Sequence, residues 1–281
     1  MAKCVSVKFT IISLFLTQSL LTGLTTENIM EKIRYNNVIF VKGVKRMKPN
    51  DSSLERKIPH VETKLRSHNI VTMPEEIYKA SGIVIMGRRI KSLIFSTDIA
   101  IIRNCNADAV LAVYPFTPQP IITDAIVSSS GLPVFCGVGG GTTTGQRVVM
   151  LAKDAEALGA MGVVVNAPMT NDIIEEIANI LDIPIVVTVL DEQADIDARL
   201  RAGVSILNIS AAARTPEVVR HIRKNYPDIP IIATGGPTRE SIQKTIEAGA
   251  NAISFTPPTA MELFHGIMSR YRKEGSKIQE K

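Results

Sequence analysis

At 281 residues, 45% hydrophobic and 21% charged, the chain is too long for a disulfide-stapled miniature and too apolar for a disordered tail. Its formal net charge of +5 is unevenly spread: residues 1–91 carry 16 basic and 7 acidic side chains, and residues 92–281 carry 16 and 20. A basic front end precedes a slightly acidic body, so a nucleic-acid role is disfavoured and would apply only to the front. Cys4, Cys105 and Cys136 stand at no ligand-like spacing, against both a disulfide framework and a zinc site. No tryptophan and only 5% aromatics argue against a stacking platform for bases or sugars. The composition suits a reducing, cytoplasmic, enzyme-like core.

Residues 9–26 carry no charge and follow Lys3 and Lys8, the outline of a secretory signal without a clear small-x-small cleavage site. Residues 1–29 are therefore set aside as a leader or signal-like segment. They are either a stretch upstream of a true start at Met30 or a working signal or anchor, which would export or tether the chain. From Met30, 252 residues remain, close to the roughly 250 typical of one (β/α)8 barrel. Residues 30–91 form a basic N-terminal extension. Its pattern predicts a short helix with Pro74 in first position and an accessory strand, Ile83–Met86, before a tight Gly87-Arg88-Arg89 turn. His60 and His68 are eight apart and do not make a ligand pair on a helix.

Residues 92–281 hold the informative pattern. Short β-branched runs recur: SLIFS, AVLAVYPF, PVFCGVG, GVVVNAP, PIVVTVL, SILNIS, PIIATGG and AISFTPP. Amphipathic helical stretches lie between most of them. The third, fifth and seventh runs are approached through Leu132-Pro133, Ile183-Pro184 and Ile229-Pro230; others follow a helix-ending glycine, Gly159, Gly203 or Gly249. Strands so continuously apolar are buried on both faces, which predicts a parallel sheet wrapped in helices. Eight such units close into an α/β (β/α)8 TIM barrel; an open doubly wound sheet is the runner-up.

In a barrel the chemistry sits at the carboxyl ends of the strands. Those positions supply Asp98 and Asp191 as candidate acid–base groups and Asn166 and Asn208 to orient a carbonyl or hydroxyl. For each aspartate, capping of the following helix weighs equally. The loop GVGGGTTTGQR supplies Gly137, Gly139, Gly140, Gly141 and Thr142 as candidate anion ligands through backbone N–H groups. It fails the P-loop pattern, because Gln146 stands where the lysine belongs. No lysine lies at a strand end, which disfavours a Schiff-base aldolase. No histidine lies there either. Metal ligands are not assigned, although Asp98 and Asp191 leave Mg²⁺ open.

The stretch IIATGGPTRESIQKTIEAGANAISFTPPT resembles the seventh- and eighth-strand region of phosphate-binding TIM barrels. The resemblance implies a phosphate held by Gly235, Gly236 and the loop after strand eight, where Thr256 stands. There the chain departs from the pattern: Pro257 and Pro258 have no N–H to donate. KSLIFSTDIAIIRNCNADAVLAVYPFTPQP and VFCGVGGGTTTG also resemble an uncharacterised bacterial β/α-barrel family labelled only "hydrolase". Together these features lead us to expect an enzyme for a small, phosphorylated metabolite, of lyase or isomerase type and using carboxylates. The alternatives are a hydrolase activating water through Asp98 or Asp191, with or without Mg²⁺, and a non-catalytic phosphometabolite sensor. A homo-oligomer stays open.

Overall fold

A computed structural model describes residues 70–279, with side chains from 70 to 272. The signal-like segment and most of the basic extension lie outside the described residues. A short antiparallel pair, β1 (Ile83–Ile85) and β2 (Arg88–Ile90), precedes the barrel. The barrel strands are β3 (Ser92–Phe95), β4 (Ala109–Ala112), β5 (Val134–Gly139), β6 (Gly162–Val165), β7 (Ile185–Val189), β8 (Ile206–Ile209), β9 (Ile231–Thr234) and β10 (Ala252–Phe255). All neighbours pair in parallel, and β10 closes onto β3. Helices α1 (Ile99–Arg103), α2 (Pro120–Ser129), α3 (Gln146–Ala157), α4 (Asn171–Ile180), α5 (Ile196–Arg201), α6 (Thr215–Asn225), α7 (Arg239–Glu247) and α8 (Ala260–Gln279) follow the strands in turn. The expected eightfold barrel is the observed fold.

The continuous apolar runs explain the closure. Every residue of β4, β6, β7 and β8 is buried, as double-sided packing requires. Alternate residues divide between two cores. Leu93, Leu111, Phe135, Val164, Val186 and Ile232 fill the barrel, while Ile94, Val110, Val163 and Val187 pack outward against the helices. Gly159, Gly203 and Gly249 end their helices with φ of +92°, +98° and +112°, in agreement with the glycine-led approaches.

The amino end of the barrel is plugged. Ile83, Ile85 and Ile90 of the β1–β2 hairpin pack with Leu93 and Phe135. The accessory strand expected at 83–86 is thus one arm of a hairpin, and Arg88 and Arg89 belong to the other arm. Its turn is Met86-Gly87, both at positive φ (48° and 76°), the primed geometry that matches strand twist. Ahead of it, Glu75–Lys79 is a single 3-10 turn with Pro74 as its N-cap. It seals the outer core with Met73 and Ile77, 1% and 0% exposed. The helix α8 differs from the others: none of its side chains is buried between 260 and 272.

Candidate functional site

At the carboxyl mouth the innermost layer follows from strand periodicity. Val186 pairs with Ile206 inside the barrel, so two residues on Thr188 and Asn208 pair on the same face. By the same step from Ile232 and Ala252, Thr234 and Ser254 face inward beside them. On β7 to β10 the throat is therefore lined by three hydroxyls and one amide. Asn208 is 6% exposed; its Nδ2 donates to Thr188 Oγ1 at 3.2 Å, and its Oδ1 has no partner among the described residues. A buried, unpaired carbonyl oxygen costs about 1–3 kcal/mol, a cost that functional layers tolerate more often than structural ones.

Two cavities open from this mouth on opposite walls. The smaller, about 190 Å³, lies at the ends of β4, β5 and β6, between Val113–Pro118 and the glycine loop, with Thr142, Thr143 and Asn166. The larger, about 1020 Å³, lies at the ends of β8, β9 and β10 and includes Thr234, Gly235, Gly236, Ser254, Thr256, Lys244 and Glu262. Of the candidates read from the sequence, Gly137, Gly139, Gly141, Thr142 and Asn166 line the smaller cavity and Gly235, Gly236 and Thr256 the larger, while Asp98, Asp191, Asn208 and Gly140 line neither.

The glycine loop is more tightly used than composition suggests. A Cβ on Gly140, at φ +101°, would stand 2.5 Å from Asn166 N, and the Gly140 N–H donates to Thr143 O at 2.9 Å. Gly139 O in turn accepts the Asn166 N–H at 2.9 Å. Gly140 thus lets the chain after β5 touch the backbone at Asn166, whereas a Cβ on Gly139 would strike Val148 of α3 at 2.6 Å and Thr143 O at 2.9 Å. Gly141 is different: nothing lies within 4 Å of a Cβ built there, and its φ is not positive. The loop after Asn166 is pinned by Arg199 of α5, which donates to Ala167 O at 2.8 Å, to Met169 O and to Asn171 Oδ1 at 2.8 Å.

In the larger cavity Gly236 has φ +77°, and its Cβ would meet Ser241 Oγ at 2.6 Å. It leads into α7, where Thr238 and Ser241 form a reciprocal capping box. The Gly235 N–H donates to Ser254 O at 3.3 Å, so Gly235 serves the β9–β10 seam. Pro257 and Pro258 stand in the wall without N–H groups. Thr259 N–H and Oγ1–H both donate to Glu262, each at 2.8 Å, and they hold that carboxyl below the usual carboxylate range. Lys244, Glu262 and Ser241 are not strand-end residues: Ser241 and Glu262 lie in the first turns of α7 and α8 and Lys244 in the last turn of α7, so a search of strand ends passes over them.

Both candidate aspartates are engaged by backbone and line neither cavity. Asp98 caps α1, accepting the Ala100 and Ile101 N–H groups at 2.8 and 3.3 Å. Asp191 is exposed and accepts the Gln193 N–H at 2.9 Å. Beside it Arg214 forms an ion pair with Glu192, and that hydrogen bond holds the Glu192 carboxyl below its usual range. Cys136 faces the outer core, and burial pushes its thiol up to about 12. Lys91 donates to Tyr78 O.

The fold defines the chain as a (β/α)8 barrel with its candidate site at the carboxyl mouth. No protein-family model and no curated protein matches the sequence. Among solved structures it is similar to a phosphonopyruvate hydrolase in complex with oxalate and Mg²⁺ (14% identity, TM-score 0.51, 66% of this chain and 83% of that one). It is also similar to 2,3-dimethylmalate lyase, a member of the PEP mutase/isocitrate lyase superfamily (11%, 0.50, 73% and 85%). A third is the phosphoenolpyruvate phosphomutase of Streptomyces platensis subsp. rosaceus (15%, 0.50, 73% and 85%). At these identities the likeness is one of fold.

The Mg²⁺ in the hydrolase raises the question of fit here. Among the described residues no three His, Cys, Asp or Glu side chains come together. Asp98 and Asp191 both hold backbone N–H groups. Mg²⁺ keeps several waters and takes one or two carboxylates together with substrate oxygens, and each of these aspartates spends only its Oδ1 on backbone. No helix among the described residues is long and apolar enough to cross a membrane.

Proposed function

We propose that the chain is an enzyme acting on a small phosphorylated metabolite at the carboxyl mouth, by lyase- or isomerase-type proton transfer. The larger cavity carries this reading. It combines hydroxyls at Thr234, Ser254 and Thr256, the Gly236 turn into α7, and the Lys244 cation. Helix N-termini and backbone N–H groups favour anions, and an ammonium supplies the countercharge a phosphoryl group needs. The barrels of like fold include enzymes named for phosphonopyruvate and phosphoenolpyruvate, the same class of ligand.

In this reading the anion rests at the start of α7. The reacting carbons lie over the throat, where Asn208 and Thr188 orient a carbonyl or hydroxyl. Proton transfer falls to a carboxylate: Glu262 in the cavity wall or Asp191 at the rim, with Asp98 kept as the cap of α1. The test is incubation of the full chain with three- to six-carbon phosphorylated acids and sugars, followed by ³¹P and ¹H NMR. We expect one of them to convert to a rearranged or cleaved product that keeps its phosphoryl group. Glu262→Gln or Asp191→Asn should lower the rate about 100-fold, the usual scale of a lost general acid or base. A panel that neither binds nor converts would remove the proposal.

A further inference from the structure

The smaller cavity has a chemistry the phosphate reading does not use. None of its lining residues is Asp, Glu, Lys, Arg or His. One wall is Tyr114-Pro115-Phe116 with Pro118, and the other is the backbone of Gly137, Gly139 and Gly141. The Tyr114 ring is fixed, because its hydroxyl accepts the Gln119 N–H at 2.9 Å. Phe116 is 73% exposed, a large aromatic left beside an open slot. At about 190 Å³ the space falls below the roughly 300–1,000 Å³ of drug-sized pockets and suits one ring.

We propose that this cleft is a subsite for a planar, uncharged ring bearing an amide-like donor–acceptor edge, such as a nucleobase or a carboxamide heterocycle. Deepening the proposed function, it gives the substrate a flat neutral portion opposite its anionic one, and it rests on that reading only in placing both at one mouth. Three observations carry it. A flat ring gains from aromatic and proline contact with little side-chain bulk opposing it. The lining combines Tyr114, Pro115, Phe116 and Pro118 with Gly137, Gly139 and Gly141, which carry no Cβ atoms. Polar groups stand at its end. Asn166 has committed its backbone N–H to Gly139 and its backbone oxygen to Met169, which leaves its carboxamide to pair with an amide edge. Thr143, 4% exposed, also lines the cleft, and its Oγ1 has no partner among the described residues.

The third observation is Gly141. Gly139 and Gly140 are glycines because a Cβ would strike neighbouring atoms, whereas at Gly141 nothing in the protein resists a side chain. A glycine without a packing or dihedral reason, facing a cleft, keeps that space clear for something else. The low average of aromatics in the chain does not count against this, since two of them are brought to one wall.

The test uses the full chain and saturation-transfer NMR with four probes: uracil and nicotinamide (flat, neutral, amide-bearing), cyclohexanecarboxamide (amide, not flat) and benzoate (flat, charged). We expect uracil or nicotinamide to bind and the other two to bind at least tenfold more weakly. Gly141→Val should abolish ring binding while leaving the thermal midpoint within 1–2 °C of the parent, and Phe116→Ala should weaken it several-fold. Absence of binding by both flat amides, equal binding of benzoate, or ring binding untouched by Gly141→Val would overturn the assignment. Inorganic phosphate, followed in parallel by ³¹P NMR, separates the two proposals. Phosphate binding without ring binding sinks this one alone, and ring binding without phosphate binding sinks the anion site alone.

Discussion

The two ends of the barrel treat polar groups in opposite ways. At the amino end two strong hydrogen-bonding side chains, Asp108 and Arg223, are spent mainly on backbone. Asp108 accepts from Lys91 N, Ser92 N and Ser92 Oγ at 2.8, 3.0 and 3.1 Å. Arg223 donates to the carbonyls of Tyr226, Pro227, Ile229 and Gly249 and to Asn251 Oδ1. At the carboxyl end Asn208 Oδ1 and Thr143 Oγ1 stay unpaired, and a glycine without steric need borders a cleft. One end is optimised for holding the ring of strands shut. The other keeps bonding capacity unspent, as expected where a ligand completes the structure.

Mutations at the closed end should cost the most stability. Phe135→Ala empties the barrel interior next to the hairpin plug and should destabilise by about 3–5 kcal/mol, read as a fall of roughly 10 °C in the thermal midpoint. Arg223→Met removes the donor that ties four carbonyls together and should cost about 2–4 kcal/mol, since a hydrogen bond to a charged group contributes roughly 1.5–3 net and this residue is partly exposed. A loss below 1 kcal/mol in urea titration would show that the amino end is not held this way.

Smaller effects sharpen the contrast at the open end. Gly140→Ala should lose about 2 kcal/mol through its clash with the Asn166 backbone and its positive φ, whereas Gly141→Ala, one residue on, should stay within roughly 0.5 kcal/mol. Equal losses at the two would erase the distinction. Asp98→Ala should cost about 1 kcal/mol through loss of the α1 cap. Smallest is a pH effect at Cys136. Because burial raises its folded thiol value to about 12, its contribution is fully present below the free-thiol value of about 8.5 and is lost as pH rises through 12. Cys136 should therefore resist iodoacetamide at pH 8 in the folded chain and react once the chain is unfolded in guanidinium.

The barrel was legible because its signals are local and repeated. Proline-led and glycine-led approaches to β-branched runs report strand after strand, and the continuous burial of β6 and β7 follows from GVVV and IVVTV alone. The hairpin was half visible, since Ile83–Met86 reads as a strand; the primed turn that turns Arg88 and Arg89 into its partner depends on two φ values the sequence does not announce. Reading strand ends named Asn166, Asn208 and Gly236, which lie at the carboxyl mouth. It passed over Lys244 and Glu262, which reach the mouth from helices. It also grouped Gly139, Gly140 and Gly141 as one anion loop, where the structure gives the first two a packing role and the third none. Spacing shows that a glycine is present; only the neighbours in space show why.

The proposed chemistry stands on a phosphoryl group held in the cavity at the ends of β8, β9 and β10. It is tested most directly by ³¹P NMR titration of glycerol 3-phosphate with the full chain and with Lys244→Gln, a substitution at an exposed position that should leave the fold intact. Saturable broadening of the phosphorus signal is expected with the parent chain, and at least fivefold weaker binding with the variant. A phosphorus signal unchanged by millimolar protein, or equal binding in the two proteins, would contradict it.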